Sequence, residues 1–239
     1  MSKTILFIAD VHLPMQVDSP ISQAFLNFMQ TKAREADSLY ILGDLFDGWI
    51  GDDVGLIAYA PFIKALANYT QKGHQLFVAL GNRDFLLKSD FSQATGAILL
   101  GDETEIELGE ERAVLLHGDT LCTDDIDYLK MRALFTHPDW QAQALAKSPA
   151  ERLHIAQQLK AASEGQKSVK TLDTMDVTQA GIDDLLKRHP TITHIIHGHT
   201  HHPMQHAPNK GIIRHVLGDW RPETQYLLWN SQQLKLLSF

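Results

Sequence analysis

Five short apolar runs in this sequence each stop on residues that can hold a cation or a phosphate. Residues 4–9 end at Asp10-Val11-His12, 39–42 at Gly43-Asp44, and 76–80 at Gly81-Asn82-Arg83-Asp84. Residues 113–116 end at His117-Gly118-Asp119, and 192–196 at His197-Gly198-His199-Thr200-His201. Runs this short and continuously apolar are the pattern of strands covered on both faces. Between the first three, Ile21, Phe25, Phe28 and Met29, then Ile57, Phe62, Ile63 and Leu66, recur at helical spacing. The alternation predicts an α/β fold with a largely parallel sheet, whose ligands bind at the carboxyl ends of the strands.

From about 120 to 190 the strand signal disappears. Trp140, Leu145, Leu153, Ala156 and Leu159 follow an approximate helical spacing, and Ser148-Pro149 is a helix start. A helical cap is expected over 121–189, inserted into a core made of 1–120 and 190–239. Short apolar runs after Gly211 (Ile212-Ile213, 226–229 and 234–237) read as terminal strands.

A length of 239 residues suits one domain with such an insertion. The net charge of −8 argues against a sequence-independent nucleic-acid binder, which must neutralise many phosphates with Lys and Arg. Cys122 stands alone, so no intramolecular disulfide forms, and the N-terminus leads straight into a strand; a cytoplasmic protein is expected. No apolar run approaches the roughly 20 residues of a membrane-spanning helix, so membrane contact is expected to be peripheral. No obligate protein partner is indicated.

Each polar block has a bland explanation when taken alone. Asp10 and His12 suit a turn, Asp44 suits a helix N-cap, Asn82 suits a turn, and a single histidine after a strand is usually a surface residue. Jointly, Asp10, His12, Asp44, Asn82, His117, His197 and His199 bring oxygen and nitrogen donors without a thiolate to one sheet edge. That set suffices for two divalent cations about 3.5–4 Å apart with Asp44 as the bridge. Mn²⁺, Fe²⁺ and Zn²⁺ all fit, and the chemistry implied is hydrolysis of a phosphate ester or phosphoanhydride.

The ordered blocks DVH, GDLFD, GNRD, HGD and HGHTH resemble the calcineurin-like metallophosphoesterase family. The resemblance implies a two-sheet sandwich flanked by helices. It implies one metal on Asp10, His12, Asp44 and His199, the other on Asp44, Asn82, His117 and His197, with Mn²⁺ the expected ion and Asn82, Arg83 and His117 catalytic. Many members carry a histidine where this chain has Arg83. Arginine is no general acid near neutral pH, but its planar fork can grip a phosphate, which suits a leaving group that needs little protonation.

Within the family, GNRD, residues 116–125 and the helical insertion are most similar to a branch of lipid A biosynthesis. That branch cleaves the pyrophosphate of a UDP-linked 2,3-diacylglucosamine to UMP and the acylated sugar 1-phosphate, at the cytoplasmic face of the inner membrane. The resemblance implies contacts with this nucleotide-lipid substrate at Asn82, Arg83, Asp125, Tyr128, Ser163, Lys167, Lys170 and His197. Alone, Lys167 and Lys170 would read as a solvated basic face, and Leu145, Leu153 and Leu159 as packing residues instead of an acyl groove. Asp84 is expected to orient a neighbouring group. Nothing in the sequence separates His201, His202 and His206 from ordinary loop histidines. A soluble nucleotide or phosphodiester hydrolase of the same fold is the alternative reading; a non-catalytic scaffold is a weaker one, since it would be expected to have lost ligands.

Overall fold

Alternation along the first strand decides the layers. In the computed structural model, which describes residues 3–167, 176–209, 211–221 and 223–239, β1 (Ile5–Ile8) sends Ile5 and Phe7 into one apolar cluster and Leu6 and Ile8 into another. Both faces are covered, which is why the run is apolar throughout.

The remaining strands are β2 (Ser38–Leu42), β3 (Gln75–Ala79), β4 (Ile98–Leu99), β5 (Thr104–Leu108), β6 (Glu111–Leu115), β7 (His194–His197), β8 (Met204–Asn209), β9 (Ile212–Val216), β10 (Gln225–Trp229) and β11 (Leu234–Ser238). One sheet has the order β11-β10-β1-β2-β3-β4, with β1 to β4 parallel and the last two strands antiparallel at one edge. The other has the order β5-β6-β7-β9-β8, with β6, β7 and β9 parallel. Ile5, Phe7, Tyr40 and Leu42 of the first sheet meet Ala113, Leu115 and Ile196 of the second between the layers.

Helices cover the outer faces. The first sheet carries α1 (Pro20–Gln30), α2 (Asp52–Ala58), α3 (Ala60–Gln71) and α4 (Ser89–Thr95). Ser19 starts α1 by accepting from Ser22 N at 3.2 Å ahead of Pro20, and Phe25, Phe28 and Met29 form its buried stripe.

Three helices, α5 (Ile126–Phe135), α6 (Pro138–Leu145) and α7 (Pro149–Lys167), follow β6. Ser148 and Glu151 form a capping box at the start of α7. Polar contacts tie these helices to the core: Gln141 Nε2 donates to Phe85 O at 3.1 Å, Arg152 donates to Ile50 O at 2.7 Å and pairs with Asp53, and Lys160 pairs with Asp47 at 2.6 Å. The last helix, α8 (Gln179–Arg188), packs Ile182, Leu185 and Leu186 on Val114 and Ile195 of the second sheet. It belongs to the core layers although it lies inside the stretch expected to form the insertion.

Candidate metal centre

Because β1, β2 and β3 are parallel neighbours, the residues that follow them emerge at one edge. Pairing continues past the strand ends: Asp10 N donates to Gly43 O at 3.1 Å and His12 N to Asp44 O at 2.9 Å. Asp10, His12, Asp44, His199 and His201 all have φ between 50° and 69° and make up five of the six non-glycine positive-φ residues among those described. Each such conformation costs on the order of 1–3 kcal/mol, and a group of them marks a place where side-chain direction outranks backbone comfort.

Glycine immediately precedes Asp44, Asn82 and His199, and none of the three positions leaves room for a side chain: a Cβ at Gly43 would lie 2.4 Å from His117 Nδ1. A Cβ at Gly81 would lie 2.2 Å from Asp44 Oδ1, and one at Gly198 would lie 2.2 Å from Asp10 Oδ2.

Two clusters result. In the first, His12 Nε2 and His201 Nε2 are 3.2 Å apart, and His201 Nε2 lies 3.4 Å from Asp10 Oδ1. In the second, Asn82 Oδ1, His117 Nε2 and His199 Nδ1 lie 3.1–3.2 Å from one another. Asp44 stands between them, with Oδ2 3.8 Å from His12 Nδ1 and Oδ1 3.9 Å from His117 Nε2. Asp10 Oδ1 is buried and accepts no hydrogen bond among the described residues. An orphaned carboxylate oxygen facing two imidazole nitrogens fits a divalent cation, as does the purely oxygen and nitrogen donor set.

The electrostatics agree. Burial raises the Asp44 carboxyl to about 6, with Asp10 adding to the rise. Burial lowers His117, but Asp44, Asp10 and Asp119 outweigh it and hold the ring up at about 9. Burial lowers His12 to about 3 and His199 to about 4. At neutral pH the centre thus combines crowded carboxylates, whose charge a protonated His117 meets in part, with neutral rings at His12 and His199 that offer lone pairs.

Outer contacts aim these groups. His117 Nδ1 donates to Leu42 O at 2.9 Å, and His199 N donates to Asp10 Oδ2 at 2.8 Å. Asp84 is fully buried and accepts from Leu45 N at 3.0 Å, holding the loop that carries Asp44.

The structure brings together Asp10, His12, Asp44, Asn82, His117 and His199. It does not bring in His197, and the expectation for that residue is corrected. β7 continues as a strand through His197, which pairs with Val216, and its ring stays buried with Nδ1 2.8 Å from Gly198 O and Nε2 3.2 Å from Arg214 Nη1. Only after Gly198 does the chain turn, so the two imidazoles delivered by this block are His199 and His201. His199 joins Asn82 and His117, the place expected of His197. His201 joins Asp10 and His12, the place expected of His199, and its Nδ1 faces Asp219 Oδ2 at 3.7 Å.

Arg83 N donates to Asp44 Oδ1 at 2.8 Å, which seats this residue beside the centre. Asp125 caps α5 by accepting from Tyr128 N at 3.2 Å, and the Tyr128 ring lies 5.8 Å from that of His199. Lys170 lies outside the described residues, as do the side chains of Ser163 and Lys167. Two residues without a role in the sequence reading stand out. Buried Asp119 receives Tyr128 Oη at 2.5 Å and Arg132 Nε at 2.7 Å, and Arg132 also reaches Asp102 at 3.0 Å.

Residues 3–203 match the family model described as calcineurin-like phosphoesterase. The UDP-2,3-diacylglucosamine hydrolase of Chromohalobacter salexigens is 43% identical over 223 residues, covering 92% of this chain and 89% of its own. The UDP-2,3-diacylglucosamine hydrolase of Tolumonas auensis is 41% identical over 239 residues, covering 98% and 96%. Among solved structures, a dimetal phosphatase from Danio rerio aligns with a TM-score of 0.55 and 14% identity, over 99% of this chain and 95% of that one, a likeness of fold.

Proposed function

This chain belongs to the calcineurin-like phosphoesterase family, and from that premise we propose that it hydrolyses the pyrophosphate bond of UDP-2,3-diacylglucosamine, releasing UMP and 2,3-diacylglucosamine 1-phosphate. The observation that carries the reading is full-length similarity to relatives that bear the name of this activity. Arg83 beside Asp44, where many relatives have a histidine, supports it from the site.

Asp10, His12, Asp44 and His201 would hold one divalent cation, and Asp44, Asn82, His117 and His199 the other; we propose Mn²⁺, to which oxygen and nitrogen donors are suited. When bound, such a pair supplies a water of lowered pKa and neutralises phosphate oxygens. Arg83 places its guanidinium against the phosphoryl oxygens, where charge grows as the bond to the sugar phosphate breaks. It need not deliver a proton, because the departing phosphate is a stable anion. Asn82 and His117 hold the reacting phosphate in place. Asp125 and Tyr128 contact the nucleotide-lipid in this reading, and the motif resemblance extends the same role to Ser163, Lys167 and Lys170.

The acyl chains and the inner-membrane surface fall to the cap. Ile126, Leu134, Leu145, Leu153 and Leu159 of α5 to α7 are exposed, which supports a peripheral lipid contact. No helix among the described residues is long and apolar enough to cross a membrane. The test is purified protein with Mn²⁺ and UDP-2,3-diacylglucosamine in detergent. Release of UMP is expected. Absence of UMP together with good turnover of a soluble phosphodiester overturns the proposal in favour of a soluble-substrate enzyme.

A further inference from the structure

We infer that His197 is a positioning residue, locked by Arg214, which fixes the Gly198 peptide and through it the directions of His199 and His201. The inference rests on the two-cation reading of the centre. His197 is fully buried, so each ring nitrogen needs a partner. Nδ1 lies 2.8 Å from Gly198 O, an acceptor, so Nδ1 carries the hydrogen. Nε2 then presents a lone pair, and Arg214, which can only donate, meets it with Nη1 at 3.2 Å. The two contacts permit one tautomer and one ring orientation.

The Gly198 peptide is held at both ends. Its N–H donates to His117 O at 2.8 Å, and its carbonyl accepts from His197 Nδ1 and from Thr200 N at 2.9 Å. The next amide, His199 N, points at Asp10 Oδ2. The His197 ring is wedged against the chain beside His117, since a Cβ at Gly118 would lie 2.6 Å from its Nδ1. His199 and His201 sit at φ 69° and 56°, a conformation that persists only where the surroundings over-determine it. Through Gly198 O the His197 ring is one contact that does so.

The experiment compares His197→Ala, His197→Asn and Arg214→Met with His201→Asn. Bound Mn²⁺ per chain is measured by elemental analysis at saturating metal, apparent Mn²⁺ affinity by titration, and kcat and KM with the nucleotide-lipid substrate. The His197 and Arg214 variants are expected to keep two Mn²⁺ per chain at saturation, since no donor is removed. Their affinity and kcat should fall roughly 10- to 100-fold, the usual cost of losing a group that orients a ligand, with KM unchanged. His197→Asn, which can still donate to Gly198 O, should lie closer to the unsubstituted protein than His197→Ala. His201→Asn should retain one Mn²⁺.

Loss of a whole Mn²⁺ equivalent in His197→Ala at saturation would overturn the inference by making His197 a ligand. Unchanged affinity and kcat would overturn it by making the ring mere filling. Should His197→Ala fail to fold, Arg214→Met decides, and unchanged affinity in that variant overturns the inference. An unsubstituted chain that binds fewer than two Mn²⁺ defeats the two-cation reading itself.

Discussion

Tyr128 Oη donates to the buried carboxylate of Asp119 at 2.5 Å, and Asp119 stands two residues beyond His117. Helix α5 is thereby fastened to the loop that carries His117. Asp119→Asn keeps an acceptor for Tyr128 but removes the charge that Arg132 pairs with. It should raise KM for the nucleotide-lipid several-fold while leaving turnover of a soluble phosphodiester nearly unchanged. Equal losses on both substrates would show that Asp119 serves the metal loop alone.

Arg83 should separate charge stabilisation from proton delivery. Arg83→Gln is expected to lower kcat by about 10²- to 10³-fold, the range found when one preorganised donor to a developing oxyanion is lost. Arg83→Lys should recover part of it, since a point charge replaces the fork. The acid limb of the pH–rate profile should not move in either variant, and a shift would assign the residue a proton.

Gly81 has no room for a methyl group beside Asp44. Gly81→Ala should cost about 1–3 kcal/mol in denaturant unfolding, as overpacking in a tight site does. It should also weaken Mn²⁺ binding, since the carboxylate between the two clusters must move. Unchanged Mn²⁺ affinity would mean that Asp44 can retreat without consequence.

A pH signature should come from His189, which lies between Glu103 and Glu105 at 2.8 Å and 2.6 Å. Partial burial lowers this histidine, but the hydrogen bonds to Glu105 and Glu103 outweigh it and the net shift is upward. A histidine raised on folding contributes stability that is complete below its unfolded pKa of 6.5 and is lost as pH rises through the raised value. His189→Gln should therefore destabilise the protein more at pH 5.5 than at pH 9. Equal losses in thermal melts at the two pH values would contradict the assignment.

The parallel part of the first sheet was readable because β1, β2 and β3 are buried on both faces and end on polar residues. The second sheet was readable in β6, β7 and β9 but not at its rim. β5 is TEIEL, whose glutamates hide a strand at the rim, and in the first sheet the edge strand β4 has two residues, too few for any period. That the strands sort into two sheets is set by long-range pairing, which no local pattern records. Six of the seven residues expected at the centre converge, and in the last block both histidine places fall two residues later than expected. A signal was present: glycine directly precedes Asp44 and Asn82, and the same rule applied to the last block points to His199 after Gly198, then His201. Arg132 had no such marker, and Gly118 before Asp119 did not disclose what Asp119 does, because both roles depend on where α5 lands.

The donors are divided between the sheets. Asp10, His12, Asp44 and Asn82 follow strands of one, while His117, His199 and His201 follow strands of the other, and each cluster draws on both. A cation in either cluster would therefore act as a rivet through the seam of the sandwich. Chelation should let the two ladders slide at that edge while each keeps its own backbone bonds, and amide exchange should quicken first at residues 10–12, 43–45 and 197–201.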